Sequence, residues 1–132
     1  MATESSYRVI LDSNFLMIPF QFNVDVFAEL DRVLEGRYRA YVTDGVLREL
    51  RGIRMRRKSA GAALQLASKL PVIETGGEGI RDVDRALINL AQEGNTIICT
   101  NDKILIEKLR SKGLPVIYLR QRKYLMLEGY LE

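Results

Sequence analysis

The sequence predicts an α/β domain, a three-layer α/β/α sandwich around a mostly parallel sheet of about five strands. Three observations predict it. Short β-rich runs alternate along the whole chain with stretches whose apolar residues recur at helical spacing. The runs are apolar throughout, as strands are when helices cover both sheet faces. Successive runs are far enough apart for right-handed crossovers. The 132 residues fit one domain, residues 1–132.

Tyr7 to Leu11 is the first strand, and Asn14 to Phe22, broken by Pro19, reads as a helical turn and a loop. Asn23 can cap a helix through Asp25 to Leu34, with Val26, Phe27, Leu30, Val33 and Leu34 on its apolar face and Gly36 as its stop. Arg39 to Thr43 is the second strand. Thr43 or Asp44 then caps a helix through Arg51, and an alanine-rich amphipathic helix runs from Ser59 to Leu70. Val72-Ile73 is a short third strand, followed by a glycine-rich loop, Glu74 to Gly79. Asp82 or Asp84 opens the next helix, where an acid suits the positive end of the dipole. Thr96 to Thr100 is the fourth strand, Lys103 to Lys112 a helix, and Leu114 to Leu119 the fifth strand. The tail, Arg120 to Glu132, alternates basic and apolar residues.

Composition narrows the chemistry. The chain has no histidine, which excludes Ser-His-Asp and Cys-His catalysis and His-metal centres. Its single cysteine, Cys99, lies in an apolar run and is expected to be a small core residue. An enzyme built from these residues works with carboxylates, lysines, hydroxyls or a hard cation held by oxygen, Mg²⁺ or Mn²⁺. No apolar run approaches the ~20 residues of a membrane span. The N-terminus shows no secretory pattern, so a cytoplasmic location is expected. A net charge of +3 permits a polyanionic partner.

Four acids stand out by position. Asp12 follows the first strand and Glu49 lies early in the helix after the second. Asp84 starts the helix after the third, and Asp102 follows the fourth. In a parallel sheet all strand C-termini share one edge, where ligands bind. The four can therefore converge although 37, 35 and 18 residues separate them. Crowded carboxylates repel and raise one another's pKa, and a divalent cation relieves this. Ser13, Asn14 and Thr100 are placed to position a phosphate or waters. Some of these acids also have a plainer explanation, Asp82 and Asp84 as helix caps and Glu49 as a solvated helix residue, whereas apolar strands lead directly into Asp12 and Asp102. The case rests on the set. A basic run, Arg48, Arg51, Arg54, Arg56, Arg57 and Lys58, adjoins the acids and suits phosphate contacts. Arg120, Arg122, Lys123 and Tyr124 form a smaller patch.

The runs around these acids resemble the motif series of PIN-domain nucleases, in the same order: Val-Ile-Leu-Asp12-Ser-Asn-Phe-Leu, Tyr-Val-Thr-Asp-Gly-Val-Leu-Arg-Glu49-Leu, Asp-Val-Asp84-Arg-Ala-Leu and Cys-Thr-Asn-Asp102-Lys-Ile-Leu. The likeness is greatest to an archaeal branch related to the eukaryotic small-subunit processome nuclease. It implies a sheet in order 3-2-1-4-5 and Mg²⁺- or Mn²⁺-dependent endonuclease activity on RNA. By that resemblance Asp12, Glu49, Asp84 and Asp102 are the acidic site. That branch often has two adjacent acids where this chain has Asp84-Arg85, which leaves Asp82 as an alternative third acid. The resemblance also implies homodimers, which the region of Phe15, Phe20 and Phe22 would support.

The expected function is thus a metal-dependent endoribonuclease acting on precursor rRNA. The alternatives are a toxin ribonuclease of a toxin–antitoxin pair (VapC type), or a non-catalytic domain that binds RNA or a ribosome-assembly partner.

Overall fold

The computed structural model describes residues 6–76 and 80–131; residues 77–79 of the expected glycine-rich loop fall outside that range. Its elements run β1 (Tyr7–Leu11), α1 (Ser13–Leu16), α2 (Ile18–Phe22), α3 (Val26–Leu34), β2 (Tyr38–Thr43), α4 (Asp44–Ile53) and α5 (Lys58–Ala67). They continue as β3 (Val72–Ile73), α6 (Ile80–Ala91), β4 (Thr96–Cys99), α7 (Lys103–Ser111), β5 (Val116–Arg120) and β6 (Tyr124–Glu128). The sheet order is β3-β2-β1-β4-β5-β6. The first five strands are parallel, and β6 joins β5 antiparallel.

The order expected for five strands holds, and a sixth strand extends it. The tail that reads only as basic and apolar residues is the second arm of a hairpin. Its turn was illegible because Gln121 and Arg122 adopt φ of 53° and 57°, positions that usually call for Gly or Asn. Local corrections have similar causes. Asn14 to Phe22 holds two short helices, α1 and α2. Asn23, at φ 56°, ends α2, and Asp25 caps α3 instead, its side chain accepting from the Ala28 amide at 3.0 Å. The alanine-rich helix stops at Ala67 rather than Leu70. Helix α6 begins at Ile80, so Asp82 lies in its first turn and neither Asp82 nor Asp84 opens it.

The strand order reverses between β1 and β4. Both strands are buried almost throughout, paired from Arg8↔Thr96 to Leu11↔Cys99. Right-handed connections on either side of this switch place α1–α5 on one face and α6 and α7 on the other. The core is Ile10, Leu11, Ile97 and Ile98 between Phe15, Leu16, Leu30 and Leu50 and, opposite, Leu87, Leu105 and Leu109, all fully buried. Phe15 is therefore core and cannot support a dimer surface; Phe20 is 47% exposed, and Phe22 lies under the Arg122 guanidinium, 5.9 Å from its ring centre. Cys99 is buried as expected, and desolvation pushes its thiol pKa up. Among the described residues no helix is long and apolar enough to cross a membrane.

The antiparallel edge is blunted by side chains. Glu29 Oε1 accepts from the Leu125 amide at 2.8 Å, and Arg32 donates to the Leu125 carbonyl at 2.7 Å. The two side chains pair at 3.0 Å, so α3 satisfies both backbone polar groups of Leu125 in β6 as a neighbouring strand would. Replacing both Glu29 and Arg32 with Ala is expected to cost roughly 1–2 kcal/mol of stability and to increase concentration-dependent association, read by urea unfolding and light scattering.

Candidate active site

The site forms where β1 and β4 end side by side. The Asp12 amide donates to the Cys99 carbonyl at 2.9 Å, so the ladder runs one step past both strands. This brings Asp12 and Thr100 together at the rim, 3% and 0% exposed. Asp12 serves two ends. Its Oδ1 accepts from the Ser13 amide at 2.9 Å and caps α1. Its Oδ2 accepts from the Thr100 hydroxyl at 2.7 Å and weakly from Asn14 Nδ2 at 3.4 Å.

Thr100 ties the rim together. Its hydroxyl is spent on Asp12, and the same oxygen accepts from the Asp102 amide at 3.1 Å. Asn14 reaches across with its Oδ1 to accept from the Asn101 amide at 2.7 Å. Asn101 in turn accepts from the Leu119 amide at 2.9 Å, which fixes β5 to the same corner. Sequence reading passed over Asn101, because its role depends on a strand 18 residues away.

The other acids arrive from three helices. Glu49, half-buried on α4, accepts from the Ser13 hydroxyl at 2.5 Å. Asp102 caps α7 through Oδ1, which accepts from the Ile104 and Leu105 amides at 2.9 and 3.4 Å. Among the described residues nothing donates to its other oxygen. Asp84 and Asp82 flank the buried Val83 on opposite sides of α6, about 200° apart around the helix. Asp82 pairs with Arg85 at 3.5 Å.

Electrostatics show which acids share a field. Burial pushes the Asp12 carboxyl up to about 7 despite the lowering bonds from Thr100 and Ser13, and the Glu49 and Asp84 charges push the same way. Burial also raises Asp84, reinforced by Asp102 and Glu49 and opposed by Lys108. Asp12 thus lies in the field of Glu49 and Asp84, and Asp84 in that of Asp102 and Glu49; among the described residues none of the four is in an ion pair. The donor set fits a hard divalent cation: a buried carboxylate is repelled by like charges, and a bound cation would reverse that. As the side chains stand, no three acids among the described residues form an ion-binding group. Glu49 is turned to Ser13, and one oxygen of Asp102 is turned into its helix.

Asp44 holds the loop before α6. It accepts from the Thr75 amide and hydroxyl at 2.9 and 2.6 Å and from the Gly76 amide at 3.2 Å. Burial would raise its carboxyl, but these bonds and the Gly45 amide outweigh burial and hold it well below the usual range. Of the two candidate caps of α4, Thr43 and Asp44, Thr43 fills the role, its hydroxyl accepting from the Val46 amide at 3.1 Å. In the basic run, Arg48 pairs with Asp44 at 3.5 Å. Arg51, Arg54, Arg56, Arg57 and Lys58 are exposed on α4, the following turn and the start of α5.

A parallel sheet with acids gathered at its switch point defines a class, and sequence comparison specifies it. The chain belongs to the PIN-like domain family, whose model matches residues 9–122. It is 30% identical over 129 residues to Ribonuclease VapC4 of Methanocaldococcus jannaschii, covering 93% of this chain and 98% of the relative. It is 34% identical over 124 residues to Ribonuclease VapC9 of Archaeoglobus fulgidus, covering 90% and 87%. Among solved structures, the PIN domain endonuclease Utp24 superposes with a TM-score of 0.80 over 98% of this chain and 96% of that one. At 22% identity that likeness speaks to the fold.

Two predictions follow from these bonds. Thr100→Val leaves the Asp102 amide without its acceptor and Asp12 Oδ2 with only the weak Asn14 contact, so it is expected to cost about 1–3 kcal/mol by urea unfolding, with Thr100→Ser recovering most of it. For Asp44 the folded pKa lies below the unfolded value of about 3.9. The stability lost in Asp44→Asn should therefore be constant from about pH 5 to 8 and shrink as pH falls below about 4. Paired thermal melts across that range test it.

Proposed function

We propose that this chain is a divalent-metal-dependent endoribonuclease that hydrolyses RNA phosphodiester bonds, with precursor rRNA as its target. The observation that supports this reading is the rim where β1 and β4 end: Asp12 is buried there with the Thr100 hydroxyl on its Oδ2, the Asp102 amide donates to the same Thr100 oxygen, and Glu49 accepts from the neighbouring Ser13 hydroxyl. Family membership and two relatives named ribonucleases point the same way.

On this reading Asp12, Asp84 and Asp102 would hold Mg²⁺ or Mn²⁺, with Glu49 as a further ligand or a positioner of water. Such a cation supplies Lewis acidity, making a water a better nucleophile and offsetting charge on the scissile phosphate. The chain's own residues supply placement. Thr100 and Asn14 fix Asp12, so its carboxylate does not rotate out of the site. Ser13 holds Glu49 at the rim, and the α7 cap aims the second oxygen of Asp102. Asp84 lies on the flank of α6 that meets the other acids electrostatically, which favours it over Asp82.

A toxin role is the second reading, favoured by the VapC names of both relatives. A small antitoxin gene directly upstream, and growth arrest on expression without it, would decide for the toxin. Accumulation of precursor rRNA on depletion would decide for rRNA maturation.

Asp12→Asn and Asp102→Asn are expected to lower cleavage of RNA by at least about 100-fold while the fold persists. Without metal, Asp12→Asn should melt at or above wild type, because it removes a buried charge. Saturating Mn²⁺ should stabilise wild type, by about 2.7 kcal/mol at 100 times Kd, and leave Asp12→Asn unmoved. Wild-type cleavage by Asp12→Asn, in protein free of contaminating nuclease, would refute the assignment.

A further inference from the structure

A groove opens between α6 and α7 and begins at Asp84. It is lined by Asp84, Arg85, Ile88, Asn89, Gln92, Lys108 and Lys112. Asp84 belongs both to the acid cluster and to this groove, and Lys108 lies close enough to lower its pKa. The groove is thus continuous with the candidate active site.

Its chemistry is asymmetric. Asp84, at the mouth, is the single acid in the lining; three cations and two amides follow. Arg85 is partly engaged by Asp82, at 3.5 Å. Lys108 and Lys112 are exposed, and among the described residues neither is in an ion pair. Cations near a helix C-terminus are ordinary, because they complement the dipole. That accounts for their position in α7 but not for the division of roles there. Arg110, on the same last turn, turns the other way and pairs with Glu128. Lys108, on α7, and Lys112, the residue that caps its C-terminus, both line the groove four residues apart, about 6 Å of helical rise and on the order of one nucleotide step. Across from them are Asn89, on α6, and Gln92, in the turn just after it, and their amides can donate to and accept from base edges. Half-buried Ile88 offers apolar contact to a base or sugar.

We infer that the α6–α7 groove is the track for the RNA strand flanking the scissile phosphate: Lys108 and Lys112 bind two successive phosphates, and Asn89 and Gln92 contact the bases between them. This rests on the ribonuclease reading and adds a path to it, separate from the basic run at Arg48 to Lys58.

The test measures binding of a fluorescent random-sequence RNA 12-mer to the full chain carrying Asp12→Asn, in Mg²⁺, as a function of salt. Cleavage by the otherwise wild-type chain is followed in parallel. Single strands contribute about 0.7 to the log–log salt slope per phosphate contact. Lys108→Ala with Lys112→Ala should therefore lower the slope by roughly 1.4 and weaken binding about tenfold at low salt. Lys112→Glu alone, farther from the acids, should raise KM with kcat unchanged. Gln92→Ala should change base preference without changing the slope, and Lys69→Ala, on the far loop, should change nothing. An unchanged slope in the lysine double variant overturns the track, even where wild type cleaves RNA and the nuclease reading stands. A slope lowered as expected supports the track, even where wild type proves unable to cleave. Displacement of the RNA by polyglutamate of equal charge, at equal concentration, would mark the groove as a site for acidic protein and overturn it.

Discussion

The Thr100 hydroxyl donated to Asp12 is the contact on which this molecule turns. It joins the first residue beyond β1 to the first beyond β4, where the two halves of the sheet meet. Because the same oxygen accepts from the Asp102 amide, one hydroxyl sets the spacing between two acids that lie 90 residues apart in sequence. Asn14 and Asn101 repeat the link and extend it to β5. The rim is therefore cross-braced by side chains just where backbone pairing ends.

This bracing opposes electrostatics. Burial to 3% exposure, with Glu49 and Asp84 adding to it, disfavours the charged form of Asp12, and the hydrogen bonds only partly offset that. Folding energy from the apolar strands and helices beneath sustains the arrangement. Such a pocket favours anything that brings positive charge, which is why an oxygen-bound divalent cation suits it. At the opposite side of the rim, Asp44 lies among three backbone amides and a hydroxyl, and its carboxyl is stabilised as an anion. Asp12, buried, and Asp44, half-buried, thus have opposite tendencies, set by burial and by whether carboxylates or amides surround them.

How much of this was legible follows the range of each interaction. The first strand, Tyr7 to Leu11, and the helix after Asp102 are evident because apolar periodicity and capping act within a few residues. The last strand was not, since its turn depends on Gln121 and Arg122 taking left-handed φ, which their residue types do not announce. Phe15, named with Phe20 and Phe22 as support for a homodimer, is core because α1 folds back on the sheet as soon as Asp12 caps it. Which flank of α6 carries Asp82 and which carries Asp84 depends on the burial of Val83, Leu87 and Leu90, a matter of packing against the rest of the chain.

The order of strands and helices, the covered parallel sheet and the acids at strand ends were determined by the sequence alone, because each is a local pattern of apolar spacing and polar punctuation. Tertiary structure alone decided which acids feel one another, that Lys108 faces Asp84 and that Thr100 and Asn101 bind the corner together. The physical reason is distance: Coulomb coupling and hydrogen bonding depend on separation in space, and only the packed core sets that for residues far apart in the chain.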